Sequence, residues 1–433
     1  MGIVQAIKNI LPASLIIKLH NLKESIYQSR LYRHLVLDNR ISRMRKQHRI
    51  HVLFISCSSS MWKTDSLYLA LKKHPRFNVK ILISPNLTIQ NMKLRSEEFQ
   101  RLKYFFDSKG YPYEEWCDVD GNTPLHRIPT QYSLLFYPQP YPGMIPKPLD
   151  FPNHLDRLLI GCEYAFHSSN QHWAYDKFYQ NAAFLDCVEN ETVRELASSL
   201  KRNKGINSVV TGLSFIDDFF RQEYSSPWKK QQKTSKKIIW ATHWSIEEGI
   251  SFLPAYSNFL AMADGMLRYA QSQIGQMQFA FKPHPWLKRE LYKHPDWGKE
   301  RTDAYYQAWQ QGVNTQLEQG EYVDLFMTSD AMIHDCSSFC CEYLFTGKPV
   351  LFMMRDEERQ VSLLNEMSHA ALYAHYIGRS PDAPEQFLRK QVSEGFDPKK
   401  DERARVATTY LIPPNGKSAA ENIIAAILDQ LPE

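Results

Sequence analysis

Three short segments of this sequence carry side chains able to handle a phosphate or a proton. Trp240-Ala-Thr-His243-Trp-Ser245 follows one apolar run, and Lys282-Pro-His284-Pro285 closes a second. Ser329-Asp330-Ala-Met-Ile-His-Asp335-Cys-Ser337-Ser338 closes a third and leads into the helical pattern Cys340-Cys-Glu342-Tyr-Leu-Phe-Thr-Gly347. Ser337 and Ser338 therefore fall at a helix start, where unpaired N–H groups and the helix dipole favour an anion and hydroxyls add hydrogen bonds to phosphate oxygens. Lys282 and His284 bring positive charge or a proton to the same group, and His243 offers a second imidazole. Asp335 joins the phosphate set, while Thr242 and Glu342 are candidates for contact with a nucleotide. Each has a plainer use when taken alone. Ser337 or Asp335 can cap a helix, His284 can fill a turn between two prolines, and His243 can be a core histidine beside Trp240 and Trp244. The joint placement favours a common site, because the strand ends of one sheet converge in space.

Other motifs fail on inspection. Gly416-Lys417-Ser418 invites a phosphate-loop reading, but position 411 is Leu and no strand delivers the loop. Asp118-Val-Asp120 lies between an aromatic patch and a Gly-Asn pair, so a turn is the expected use. No pair of histidines shows metal-ligand spacing. Cys336, Cys340 and Cys341 complete no His or Cys set at metal-ligand spacing, so neither a metal nor another cofactor is expected. The 7 cysteines form no CxxC pair and are odd in number, which points to free thiols in a reducing compartment.

The elements that must position these residues read as two α/β units. His51–Ser56 is a strand ending in a Cys-Ser-Ser-Ser loop, followed by a helix over Asp65–Lys73 and a strand over Asn78–Ser84. Further strands are expected at Leu134–Tyr137, Leu158–Ile160, Ala183–Cys187 and Ser208–Thr211, with a proline-rich loop between Pro138 and Pro152. Gln222–Lys237 is polar and charged and serves as the linker. A second series follows at Lys237–Thr242, Gln278–Pro283, Tyr322–Phe326, Ala331–His334 and Pro349–Met353. Ser418-Ala-Ala-Glu421 is a capping box opening a helix over Ala419–Leu431. The expected architecture is two Rossmann-like domains facing a cleft, with 51–221 as the first and 238–433 as the second, behind a basic arm at 1–50.

The net charge of +5 is unevenly spread: residues 1–50 carry +8, which leaves −3 on the remainder. A nucleic-acid groove would put basic residues across the folded body, so nucleic acid is not the expected partner. In the arm, Leu11, Leu15, Ile16, Leu19, Leu22 and Ile26 recur at helical spacing, flanked by Lys18, Lys23, Arg30 and Arg33. With the polybasic run Arg40 to Arg49, this fits an amphipathic helix on an anionic membrane surface. The alternative is a stripe packed on the protein's own body. No apolar run reaches the roughly 20 residues of a membrane span, and Lys8, Pro12 and Lys18 break any signal-peptide core. The expected place is the cytoplasm, peripheral to the inner face of the bacterial cytoplasmic membrane.

The segment from Tyr322 to Phe352, with its Ser-Asp-x-x-Ile-x-Asp-x-Ser-Ser core and Lys-Pro ending, closely resembles the CDP-glycerol glycerophosphotransferases of the teichoic-acid polymerase type. Lys282-Pro-His284-Pro285 resembles that family's Lys-x-His-Pro, and Trp240–Ser245 sits where its Pro-Thr-Trp segment occurs. Gly212-Leu-Ser-Phe-Ile-Asp217 is similar to its Gly-x-Pro-Arg-x-Asp without the Pro-Arg. The resemblance covers roughly residues 205–430. It implies a GT-B architecture and transfer of a polyol phosphate from a CDP-activated donor to a hydroxyl of a cell-envelope glycan or lipid-linked acceptor, releasing CMP. It gives phosphate-binding roles to His284, Ser337 and Ser338; on chemical grounds His243 and His284 are the expected donors to the leaving group. The family's Trp-His-Gly has no match, for the comparable stretch reads Leu159-Ile-Gly161-Cys-Glu163-Tyr. Glu163, His167 or His172 is then left to act as base, with Glu163 in the matching stretch. Two rivals share this pattern: a GT-B glycosyltransferase using a nucleotide sugar for capsule or lipopolysaccharide, and a nucleotide-binding assembly scaffold without turnover.

Overall fold

The computed structural model describes residues 22, 37–122, 128–138, 141, 143–154, 156–233, 236–248 and 254–430. The chain divides into two compact units: 1–167 with 171–215 and 413–433, and 168–170 with 216–412. The apolar stripe of the basic arm, Leu22 apart, lies outside the described residues. The described end of the arm is a helix, Asp38–Arg45, that buries Ile41 and Met44 in the first unit. Its arginines and those after it hold backbone carbonyls there: Arg45 Nε donates to Gln430 O at 2.8 Å and Arg49 Nε to Pro75 O at 3.1 Å. No described helix is long and apolar enough to cross a membrane.

The first unit is built on a sheet of β1 (Ile50–Ser56), β2 (Phe77–Ile83), β3 (Tyr113–Glu115), β4 (Tyr132–Phe136), β5 (Leu158–Cys162), β6 (Leu185–Val188) and β7 (Ser208–Val210). Every pairing is parallel, in the order β3-β2-β1-β4-β5-β6-β7. The helix Asp65–Lys73 falls where the sequence puts it, burying Leu67, Tyr68 and Leu71. Asp118 forms the expected turn, its carboxylate accepting the Asn122 N–H at 2.9 Å. All seven cysteines are free and buried.

The second unit holds β8 (Lys236–Thr242), β9 (Met277–Pro283), β10 (Thr315–Leu317), β11 (Ala331–His334), β12 (Val350–Met353) and β13 (Tyr376–Gly378). They pair in parallel in the order β10-β9-β8-β11-β12-β13. Strands β8 and β9 are buried through most or all of their length, as expected of central strands covered by helices on both faces. Trp240, fully buried, stacks on Phe281 with ring centres 4.9 Å apart. In both sheets the chain reverses its direction of travel beside the first strand of the unit, between β1 and β4 and between β8 and β11. Ligands of such sheets bind beyond the strand C-termini at that point.

Three expectations need correction. Tyr322–Phe326 is not a strand: Val323–Thr328 is a helix, and the strand pairing with β9 is the polar triplet Thr315–Leu317. Gln222–Lys237 is not a free linker, because it lies inside the second unit and Trp228 anchors it. That indole is buried and donates to Thr328 Oγ1 at 3.1 Å, while the Lys229 N–H reaches Gln316 Oε1 at 2.9 Å. The helix Ala419–Leu428, with its capping box intact, belongs to the first unit rather than the second. It is tied there by Asn422 Nδ2 donating to Thr211 O at 3.3 Å. Gly212, at φ +77°, brings the backbone so close to Pro413 that an added Cβ would lie 2.9 Å from the proline ring.

Candidate functional site

The register of the second sheet gathers the expected residues at one edge. Ala241 pairs with Lys282 on one side and with His334 on the other, so Thr242–His243, His284 and Asp335 all emerge at the C-terminal ends of neighbouring strands. The two imidazole rings of His243 and His284 lie 5.6 Å apart between centres. The His284 N–H donates to Thr242 O at 2.9 Å, which fixes the second loop to the first.

Both histidines are set up as neutral donors. His243 Nδ1 accepts the Ser245 N–H at 3.2 Å and lies 2.7 Å from the Ser245 hydroxyl; His284 Nδ1 accepts the Trp286 N–H at 3.1 Å. A ring nitrogen that accepts from a backbone amide carries no proton, so in each ring the proton resides on Nε2. Burial, then the neighbouring His284, pushes His243 down to about 3. Burial, then Lys282 and Arg289, pushes His284 down to about 4. An anion placed here would meet two N–H donors and the charges that depress them.

Asp335 is buried and organises the edge. Its Oδ1 accepts the His243 N–H at 2.6 Å and its Oδ2 the Asn258 N–H at 2.7 Å. Burial nevertheless outweighs these donors and raises the carboxyl to about 7. With both oxygens occupied by backbone amides, Asp335 positions the loops. Lys282 is buried too, its Nζ donating to Gly320 O at 2.9 Å and lying 5.7 Å from the Tyr322 ring centre.

Ser337 and Ser338 form the turn before a short helix, Phe339–Glu342, which tightens through Tyr343–Thr346 and ends at Gly347 with φ +66°. Neither serine side chain makes a capping bond, and both are half-buried. The simple N-cap use therefore does not hold for Ser338, the residue at the cap position. Thr242 is buried with its hydroxyl unpartnered, and Glu342 is fully buried beside Tyr322, whose ionisation is pushed up by burial and by that carboxylate.

The structure adds residues that sequence reasoning passed over. Trp286, half exposed, stands edge-on to Trp244 with centres 5.2 Å apart, and Arg289 lies 4.9 Å from the Trp286 ring centre. Its position directly after the His284-Pro285 pair was the available signal. Ser245 holds the His243 ring and Asn258 shares the Asp335 carboxylate with the His243 N–H, and nothing in their spacing announces it.

In the first unit, Glu163, His167 and Glu189 meet. His167 gives its own N–H to Glu189 Oε1 at 2.6 Å, its Nδ1 lies 2.9 Å from Glu189 Oε2, and its Nε2 lies 4.0 Å from Glu163. Burial alone would lower this imidazole, but the Glu189 and Glu163 carboxylates carry it above its ordinary value. Glu163 also receives Lys177 Nζ at 3.4 Å and Gln180 Nε2 at 3.3 Å. His172 is exposed and pairs with Asp176 at 3.3 Å, outside this group.

Residues 235–361 match the sequence pattern of the CDP-Glycerol:Poly(glycerophosphate) glycerophosphotransferase family. No curated protein matches the chain. Among solved structures, a variant of the Wall Teichoic Acid Polymerase TagF is similar at 13% identity, with a TM-score of 0.54 over 96% of each chain. A UDP-N-acetylglucosamine 2-epimerase is similar at 14% identity and TM-score 0.53, over 89% of this chain and 99% of its own. The S. aureus MnaA–UDP structure follows at 13% and 0.51, over 88% and 96%. Such identities establish a shared GT-B-like α/β fold. The matched stretch runs from β8 to beyond β12 and contains every residue of the strand-end cluster, so over this stretch the second unit resembles the CDP-glycerol glycerophosphotransferases.

Proposed function

We propose that the protein moves a polyol phosphate, glycerol phosphate or a close relative, from a CDP-activated donor to a hydroxyl of a cell-envelope glycan or lipid-linked acceptor. One observation supports this above others: the stretch that matches the family is the same stretch that brings His243, His284, Asp335 and the Ser337–Ser338 turn to one sheet edge. A TagF structure of similar fold was soaked with CDPG, in line with a donor of that kind.

In the reaction an acceptor oxygen attacks the polyol-bearing phosphorus, the bond from that phosphorus to the bridging oxygen breaks, and CMP leaves with the bridging oxygen's charge. The acceptor proton passes to a base, for which Glu163 is proposed. The Nε2–H groups of His243 and His284 donate to the leaving phosphate, where preorganised donors lower the barrier because charge develops there. Ser337, Ser338 and Lys282 hold the pyrophosphate, Thr242 and Glu342 border the nucleotide, and Asp335 fixes the His243 loop. Positioning and charge neutralisation supply most of the catalysis in phosphoryl transfer. Residues 1–50 would seat the enzyme on the inner face of the cytoplasmic membrane, near a membrane-bound acceptor, through their +8 charge.

The test is CMP release by the purified chain with CDP-glycerol, CDP-ribitol and a series of sugar nucleotides, each with lipid-linked glycan acceptors. CMP formation with a CDP-polyol supports the reading. Turnover confined to sugar nucleotides, or nucleotide binding without any turnover, overturns it.

A further inference from the structure

Behind the Ser337–Ser338 turn lies a second constellation, which sequence spacing conceals because one member comes from far along the chain. One ligand atom each of His334, Cys340 and His375 lie within 4.8 Å of one another, and all three side chains are buried. His334 ends β11, Cys340 is the second residue of the helix after the turn, and His375 precedes β13. The expectation that Cys340 stands outside any set with histidines is thus corrected by the fold.

The hydrogen bonds decide the state of the two rings. His334 Nδ1 lies 3.1 Å from Cys336 O, and His375 Nδ1 lies 2.7 Å from Ala371 O. A carbonyl only accepts, so each Nδ1 carries the proton and each Nε2 presents a bare lone pair. Both Nε2 atoms are buried without a hydrogen-bond partner, and the rings meet edge-on with centres 5.2 Å apart. The Cys340 thiol donates to Cys336 O, with Sγ at 3.9 Å, so it serves neither lone pair. A cation satisfies both nitrogens and the sulfur together. An imidazole whose Nδ1–H is held by a backbone carbonyl, with Nε2 free, is also the usual second-sphere arrangement of a metal-binding histidine.

We propose that His334, Cys340 and His375 form a binding site for a thiophilic d10 cation, Zn²⁺ or Cu⁺, that staples the Asp335–Phe339 turn from both of its ends. Two imidazoles and a thiolate are the donors these ions prefer. At metal–ligand lengths of about 2.0–2.3 Å the ligand atoms would stand about 3.3–3.7 Å apart, so the site must contract slightly on loading. Binding displaces the thiol proton, and the resulting thiolate balances Cu⁺ fully and Zn²⁺ in part. Burial above all, then His334, with smaller effects of Arg403 and Lys399, holds His375 well below the ordinary imidazole range. Arg403 is paired with Asp397, and Lys399 Nζ is held by Tyr373 O and His375 O.

The experiment strips the full-length chain of metal and then loads it with Zn²⁺, or anaerobically with Cu⁺, counting bound metal after gel filtration. Co²⁺ serves as a spectroscopic probe of a cysteine ligand. The expected result is one equivalent per chain, a raised Tm, and a thiolate-to-Co²⁺ charge-transfer band. Cys340→Ala should lose metal, Tm shift and band together, while Cys57→Ala keeps all three. No retained metal in either loading arm, or no charge-transfer band in the wild-type chain, overturns the proposal without need of a variant. Unchanged stoichiometry in Cys340→Ala or His375→Gln overturns it as well.

Discussion

Asp335 Oδ1 accepts the backbone N–H of His243 at 2.6 Å, across the point where β11 meets β8. A carboxylate that could have faced the ligand instead locks the loop bearing an imidazole, and its other oxygen locks Asn258 at 2.7 Å. The position of His243 thus depends on a group contributed from the far side of the central strand pair.

Asp335→Asn puts an NH2 where one of two backbone donors now points. The orphaned amide should cost about 1–3 kcal/mol of stability. CMP affinity and turnover should fall with it, because His243 is no longer held. Urea titration beside turnover checks this; wild-type values in both would remove Asp335 from the role of organiser.

Ser338→Ala removes a hydroxyl that makes no capping bond, so the melting temperature should stay within a degree or two of wild type. If the hydroxyl grips the donor phosphate, affinity for CDP or CMP should fall by about 1.5–3 kcal/mol, or about 10- to 150-fold. His284→Ala should depress turnover more than ground-state binding, since its donor strengthens as the leaving phosphate gains charge. Calorimetric titration with CMP and steady-state rates on the same samples separate the two effects.

The pH dependence of stability has a definite sign. His243 and His334 titrate at about 3 and His284 at about 4 in the folded protein, against an unfolded value near 6.5. Between those limits the unfolded chain binds more protons, so stability rises with pH up to about 6.5. Asp335, raised to about 7, works the other way from about pH 4 to 7, because there the folded state holds the extra proton. His375, held well below its ordinary value, joins the three imidazoles, and Glu318, raised by burial, joins Asp335; four groups oppose two, and the second unit should be less stable at pH 5 than at pH 7. Denaturant midpoints at the two values check this, and His334→Gln should flatten the slope.

Deleting residues 1–36 spares the helix that buries Ile41 and Met44 and should leave the fold intact. Membrane sedimentation should be lost while CMP binding persists. Added salt should weaken the wild-type association, as surface charges are screened within about 10 Å at 0.1 M. A truncated protein that still sediments with vesicles of anionic lipid would dissociate the arm from membrane binding.

The strands that bear the site were legible because they are central. Ala331–His334 is read to the residue, and β8 and β9 to within one, since buried parallel strands are continuous apolar runs. The short edge strands β3, β10 and β13, three residues each, carry no such signal. Tyr322–Phe326 misled because aromatic and branched residues in alternation fit a strand as well as a one-sided helix. The placing of His243 and His284 at strand ends and of Ser338 at a helix start could be read from the sequence, because those signals are local. The His334–Cys340–His375 set could not, because only tertiary packing joins it.

The return of residues 413–433 to the first unit gives the chain a nested order of completion. During synthesis, all of 216–412 emerges before the helix Ala419–Leu428 that finishes the unit begun earlier. Domains fold as their chain becomes available, so the inner unit is expected to become protease-resistant first, and the outer one to wait with Leu67 and Tyr68 exposed to chaperones. Stalled nascent chains ending near residue 412 should show a protected inner fragment and a cleavable N-terminal half. The unit that bears the strand-end cluster would then mature before the unit that carries the basic arm.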